Sequence, residues 1–255
     1  MMHQKSSGFT IIEVVLFLAV GGLLGVGILA GASQSVNQQR YQDAVRSLAS
    51  ELQSQYSAVV NVENDRAGNS YRCNQGATVI DTSVSGGVAQ SRGTSDCTIV
   101  GRVIDVTGGN KIMTSQPVYA TADPMKDSIL PTSDVDALRK SNLVVPSAST
   151  ANALGRDSYE LEWGTSSVSP TGAARQFRLL VVRSPFSNMV RTYAVSGGTV
   201  EPTSTTTVRS MIGTQAEVTI CVNPDGLFTG QELGVRVLRG ASTAAGVKQL
   251  EGGVC

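Results

Sequence analysis

The sequence predicts an α+β protein in which a long N-terminal α-helix packs on an antiparallel β-sheet head. Three features of the 255-residue chain support this prediction. An apolar run covers residues 9–31, and a stripe of apolar residues at helical spacing follows it. The rest of the chain alternates Val- and Thr-rich segments with turn residues, as β-rich heads do.

Composition argues against several functional classes. The 20 basic and 20 acidic residues cancel, so no overall field favours nucleic acid or an anionic surface. His3 is the only histidine, and none of the four cysteines forms a CxxC pair, so a zinc site has no support. No G-x-S-x-G or phosphate-binding loop is present. We therefore expect neither an enzyme nor a cofactor.

The apolar run is long enough to cross a membrane. Its 23 residues carry one charge, Glu13, and as a helix they cover about 34 Å. Lys5 precedes the run and the next positive charge is Arg40, which favours a cytoplasmic N-terminus and an external head. A secretory signal peptide cleaved near Ala30-Gly31-Ala32 is the alternative, but signal cores span only about 7–15 residues.

Glu13, the one acid inside this run, is part of a recognisable motif. No basic residue of the run can pair with Glu13, so its partner must come from elsewhere. The stretch "SSGFTIIEVVLF" resembles the N-terminus of type IV prepilins and pseudopilins, with Gly8, Phe9 and Glu13 in register before an apolar helix. The resemblance covers about 25 residues and implies cleavage after Gly8, N-methylation of Phe9 and a role for Glu13 in filament assembly.

The same resemblance implies partners and a location. They are a prepilin peptidase, other pilin subunits bound through the N-terminal helix, an assembly platform with its ATPase motor, and the cytoplasmic membrane. Before assembly the chain would be a single-pass membrane protein with its N-terminus inside and its head outside. After assembly it would lie in a cell-surface pilus or pseudopilus. The large head favours a minor pilin or a pseudopilin at least as much as a bulk subunit.

The implied cleavage would create a positive charge that can pair with Glu13. Cutting after Gly8 creates an α-amine that is largely cationic at neutral pH, and methylation keeps its charge. Glu13 of one subunit can then meet the Phe9 ammonium of another inside an apolar filament core, where such a pair is directional and an unpaired carboxylate is penalised. Two G-x-x-x-G pairs, Gly21/Gly25 and Gly27/Gly31, would permit close helix approach, although membrane helices are Gly-rich in general.

The predicted organisation has four parts. Residues 1–8 form a leader, 9–31 the transmembrane half of the helix, 32–62 its amphipathic half, and 63–255 a β-rich extracytoplasmic head. Without a proline in residues 9–61, one helix of about 50 residues is expected. Its apolar stripe is predicted to face the head; a coiled-coil seam is the alternative, but the stripe spans too few heptads.

In the head, segments of period-two or apolar character predict strands. A hairpin is expected around residues 184–188 and a turn at 223–226. Residues 107–157 and the stretch "EPTSTTTVRS" are read as loops, with a short helix at 133–140. The predicted strands are 77–84, 97–106, 159–163, 177–182, 189–195, 217–222 and 233–238.

The four cysteines all follow the membrane segment, where disulfides persist. Four cysteines allow three connectivities. We favour Cys73–Cys97 and Cys221–Cys255, because each closes a local segment; free buried thiols are the alternative. Most of the arginines at 175, 178, 183 and 191 are interpreted as solvated strand positions rather than as a basic stripe. The second functional hypothesis is a membrane-anchored module that never polymerises and that binds DNA or a surface ligand.

Overall fold

The computed structural model describes residues 10–61, 71–74, 78–81, 98–107, 111–126, 128–146, 156–170, 176–196, 205–226, 230–250 and 255. The first helix, α1, covers Ile11–Asn61 without a break, which confirms the predicted continuous helix. The other helices are α2 (Asp134–Lys140) and α3 (Thr205–Met211). The strands are β1 (Tyr71–Asn74), β2 (Thr78–Asp81), β3 (Thr98–Thr107), β4 (Ile112–Ala120), β5 (Leu143–Val144), β6 (Asp157–Glu160), β7 (Ser166–Val168), β8 (Phe177–Arg183), β9 (Val190–Ser196), β10 (Val218–Asn223), β11 (Leu233–Val237) and β12 (Val247–Leu250).

The largest sheet is antiparallel and has the order β5-β4-β3-β8-β9, with β6 also paired to β4. Its β8–β9 pair is the predicted hairpin. The turn is closed by the Ser184 N–H, which donates to the Met189 carbonyl at 2.9 Å, and by the Asn188 N–H, which donates to the Ser184 carbonyl at 2.8 Å. Asn188 has a φ of 61°, a left-handed conformation that Asn tolerates better than most residues.

A second antiparallel sheet has the order β12-β11-β10-β7, and β1 pairs with β2 separately. The predicted turn between β10 and β11 is present. Asp225 and Gly226 both have positive φ there, and the Asn223 side chain accepts a hydrogen bond from the Asp225 N–H at 2.9 Å. The turn predicted from the sequence Asn-Pro-Asp-Gly is therefore confirmed.

Two cores lie on opposite faces of the large sheet. The amphipathic half of α1 packs on one face and on the second sheet, through residues that include Leu48, Leu52, Ile104, Leu179 and Ile220. Helices α2 and α3 cover the other face, where Leu138, Val208 and Met211 meet Val103, Leu180 and Val182. The interior strand β8 is consequently buried on both faces, which explains its run of four consecutive apolar residues, "LLVV".

Two loop predictions were wrong. Residues 107–157 contain the nine-residue strand β4, whose far end is buried on both faces and so lacks polar alternation. Residues 205–210 of the stretch "EPTSTTTVRS" lie in α3, although Thr has low helix propensity. Burial of Val208 and Met211 in the second core outweighs that propensity. The predicted short helix is confirmed as α2, with the Ser133 side chain accepting from the Asp136 N–H as N-cap.

Candidate functional site

The N-terminal half of α1 projects from the head with its apolar surface uncovered. Large apolar side chains between Ile11 and Leu29 are 46–83% exposed, whereas Tyr41, where packing on the head begins, is fully buried. This half is apolar and long enough to cross a membrane, and none of that window is buried against the rest of the described chain. Twenty residues from Ile11 cover about 30 Å, the thickness of a hydrocarbon core. The helix is therefore a candidate membrane anchor.

Within the described part of the chain, the glycines of this half have no packing partner. A Cβ placed on Gly21, Gly22, Gly25, Gly27 or Gly31 would meet nothing within 4 Å outside the local helix. Since glycine weakens a helix by about 1 kcal/mol relative to alanine in water, five such residues are costly unless another molecule approaches them. The G-x-x-x-G faces are open to a partner.

Glu13 lies in the first turn of α1. Its N–H donates to Thr10 Oγ1 at 3.3 Å, and the Val14 N–H donates to the Thr10 carbonyl at 3.2 Å. Thr10 thus acts as the N-cap of the sequence T-I-I-E, in which Glu13 occupies the third helical position. A carboxylate there interacts favourably with the helix dipole. Sequence reasoning missed this local role, although the T-x-x-E spacing signals it. Gly8 and Phe9 lie outside the described residues.

Two tyrosine hydroxyls fix the amphipathic half of α1 to the head. Tyr41 Oη donates to the Val222 carbonyl and accepts from the Leu233 N–H, both at 2.6 Å. Tyr56 Oη lies 2.9 Å from Thr192 Oγ1. Burial raises the pKa of Tyr41, and it raises the pKa of Tyr56 to about 12. The stripe of apolar residues predicted that these two tyrosines pack on the head. Nothing in the sequence indicated the hydrogen bonds that their hydroxyls form.

A short 3₁₀ turn, Glu162–Gly164, contacts the helix next to its uncovered N-terminal half, the free half. Glu162 accepts a hydrogen bond from Ser47 Oγ at 2.7 Å, and the Arg40 guanidinium lies 4.7 Å from the centroid of the Trp163 ring. Trp163 has a φ of 56° and remains 50% exposed. The predicted strand 159–163 is instead β6, which ends at Glu160 and is followed by this turn.

The C-terminus is tied to the second sheet. Cys221 of β10 and Cys255 form a disulfide with Cα atoms 5.6 Å apart, which confirms one predicted pairing. Neighbouring Gly234 leaves room for it, because a Cβ there would lie 2.8 Å from Cys255 Sγ and 2.5 Å from the Ile220 carbonyl oxygen. The other predicted pairing involves Cys97, outside the described residues; Cys73 lies in β1, where only the backbone is described.

The arginines of the β8–β9 region do not form a basic stripe. Their interpretation as solvated positions was wrong for Arg178, which is buried and ion-paired with Asp105. Burial raises the pKa of Asp105, and Arg178 opposes that effect. Arg191 pairs with Asp134 at 2.6 Å and Arg183 donates to the Asn188 carbonyl, while residue 175 is outside the described part. These arginines are occupied in holding the head together.

Among the described residues, no group of three His, Cys, Asp or Glu side chains is placed to hold a metal ion. The candidate site in the described residues is the uncovered apolar half of α1, continuous with a half that is fixed to the head. Comparison of the chain with family models, with curated proteins and with solved structures finds no match.

Proposed function

We propose that this protein is a subunit of a type IV pilus-like filament, a minor pilin or pseudopilin, which assembles through its N-terminal helix. The observation that carries the proposal is the uncovered apolar half of α1, preceded by the prepilin-like motif and containing Glu13. An apolar helix with an acid and open glycines fits two successive environments. It first spans the membrane and then packs among copies of itself.

Assembly needs a cation that the precursor lacks in this region. Cleavage after Gly8 by a prepilin peptidase would create it at Phe9, four residues before Glu13. The Phe9 ammonium of one subunit then pairs with Glu13 of another, so the acid selects the register of an otherwise unspecific helix bundle. Within the subunit, the Thr10 cap keeps this first turn helical.

The head belongs outside the cytoplasm in this proposal. The Cys221–Cys255 disulfide suits an oxidising compartment. Lys5 and the amino terminus give the leader its positive charge, which suits a cytoplasmic N-terminus. An assembly platform with its ATPase motor would then lift the processed subunit from the cytoplasmic membrane into the filament.

The test compares Glu13→Ala and Glu13→Val with a matched control, Asp43→Ala, which removes a 60% exposed acid from the same helix. All three variants are expected to be processed and inserted in the membrane. The Glu13 variants should be lost from filaments sheared off the cell, whereas Asp43→Ala should be incorporated normally. Normal incorporation of both Glu13 variants removes Glu13 from the mechanism.

N-terminal sequencing of the working form separates the alternatives. A start at N-methyl-Phe9 supports processing by a prepilin peptidase, and a start at Ser33 indicates ordinary secretion. A processed protein that stays in the membrane and is never found in sheared filaments indicates the second hypothesis, an anchored adhesive or DNA-binding module. The internal pairing of the β8–β9 arginines weighs against its DNA-binding form.

A further inference from the structure

A groove runs between the amphipathic half of α1 and strands β3 and β6 of the head. Its volume is about 590 Å³, within the range of small-ligand sites. Glu51, Ser54 and Gln55 line it from the helix, and Arg102, Asp157 and Tyr159 line it from the sheet. The groove is separate from the free half of α1, so filament assembly does not account for it.

The lining is held in place by a chain of hydrogen bonds that crosses from helix to sheet. Gln55 Nε2 donates to Glu51 Oε1, and Ser115 Oγ donates to Gln55 Oε1, both at 2.6 Å. Arg102 Nε donates to the same Ser115 Oγ at 3.0 Å, and Arg102 Nη2 donates to Asp157 Oδ2 at 2.6 Å. Gln55 and Ser115 are buried. The side chains joined by these bonds are thus oriented before any ligand arrives, which lowers the cost of binding.

The chemistry of the lining narrows the ligand class. Two carboxylates, Glu51 and Asp157, face one cation, Arg102, which is already engaged by Asp157. The surplus negative charge disfavours phosphates and nucleic acid. An apolar ligand would leave the hydroxyl, amide and carboxylate groups without partners, at a cost for each. A neutral ligand rich in hydroxyl groups satisfies both conditions.

We propose that this groove binds a saccharide. Carboxylate oxygens of Glu51 and Asp157 accept hydrogen bonds from sugar hydroxyls, and so can the Ser54 hydroxyl, which itself donates to the Glu51 carbonyl at 2.8 Å. Tyr159, which is partly buried beside the core, supplies an aromatic wall for the less polar face of a sugar ring. The proposal gives the head a binding activity of its own, which does not depend on polymerisation.

Full-length protein in phosphatidylcholine nanodiscs, which carry no sugar headgroups, is titrated with lactose, maltose and chitobiose. Binding is measured by saturation-transfer NMR, with sialyllactose as an anionic probe and spermidine as a cationic one. We expect transfer to at least one neutral disaccharide, and weaker binding of sialyllactose than of lactose. Transfer to spermidine with none to the disaccharides overturns the ligand class.

Two variants tie binding to the groove. Ser57 is an exposed helix residue on the groove wall, so Ser57→Trp fills the groove without disturbing the core. Ser50→Trp is the matched control, because Ser50 is exposed on the same helix outside the groove. Ser57→Trp should abolish transfer and Asp157→Asn should weaken binding about tenfold, whereas Ser50→Trp should bind as the unaltered protein does. Equal binding by Ser57→Trp and Ser50→Trp overturns the proposed site.

The same variants separate this inference from the proposed function. Ser57→Trp protein should still be processed and incorporated into filaments, because the groove lies away from the free half of α1. A Glu13→Ala protein that fails to polymerise should still bind the disaccharide.

Discussion

Loss of the Cys221–Cys255 disulfide should destabilise the head by an amount that depends on the length of the chain segment it closes. The two cysteines are 34 residues apart. Closing a loop of that size removes about 12.6 cal/mol/K of unfolded-chain entropy, which corresponds to about 3.8 kcal/mol at 25 °C. For a domain of roughly 200 residues each kcal/mol changes Tm by about 2–4 °C, so the expected loss is about 8–15 °C. The variant of choice is Cys255→Ala, since Cys255 is partly exposed and its removal leaves no core cavity.

The assay is urea unfolding of the full chain in detergent, followed by the fluorescence of Trp163. This residue is the only tryptophan of the chain and lies on the turn that contacts α1, so its emission reports on the head. The Cys221→Ala/Cys255→Ala double variant removes the thiol that Cys255→Ala leaves at position 221. If the disulfide is the cause, the double and single variants should unfold at nearly the same urea concentration.

Two results would refute the reasoning. A loss below about 1 kcal/mol in both variants means that the bond does not restrict the unfolded chain as the loop model states. A much larger loss in the double variant means that Cys221, which is fully buried, matters through packing rather than through the bond.

Four further perturbations test other parts of the structure. Gly25→Leu should keep the free energy of unfolding of the head within about 0.5 kcal/mol of that of the unaltered protein, while lowering incorporation into filaments. Gly234→Ala should lower the free energy of unfolding by about 1–3 kcal/mol, because its Cβ would overlap the Ile220 carbonyl. Arg178→Met leaves a buried carboxylate and should cost about 3–5 kcal/mol, most of which the Asp105→Leu/Arg178→Met double variant should recover. Burial raises the pKa of Tyr56 from 10.0 to about 12, so the stability that this residue contributes is present below pH 10 and is lost as pH rises through 12. In urea unfolding, the unaltered protein should lose up to about 2.7 kcal/mol more than Tyr56→Phe over that rise, because the other tyrosines with a raised pKa act equally in both proteins.

The parts of the fold that sequence predicted are those with strong local signals. The absence of proline from residues 11–61 and the stripe that includes Leu48 and Leu52 were enough to predict α1 and the face it buries. The hairpin was predictable because β8 and β9 are apolar runs that flank a short polar turn. In each case the residues that carry the signal are neighbours in the chain.

The missed elements depend on distant contacts. Strand β4 contains Pro117, which argues against a strand in an isolated sequence. In the sheet, β6 pairs with β4 as far as Ser115 and β5 pairs with it from Tyr119, so Pro117 lies where neither strand is paired with that edge. The groove was equally unpredictable, because Gln55, Arg102 and Asp157 are far apart in sequence and meet only after α1 has packed on the sheet.

The attachment of α1 at Tyr41 makes the helix a lever with its fulcrum at the head. Glu13 lies 28 residues before Tyr41, a distance of about 42 Å along a straight helix. A tilt of about 10° at the fulcrum would move Glu13 sideways by about 7 Å, more than the reach of an ion pair. A small change in the tilt of α1 at Tyr41 therefore becomes a large displacement at Glu13. Substitutions that weaken the two hydrogen bonds of the Tyr41 hydroxyl should displace Glu13 although they lie far from it.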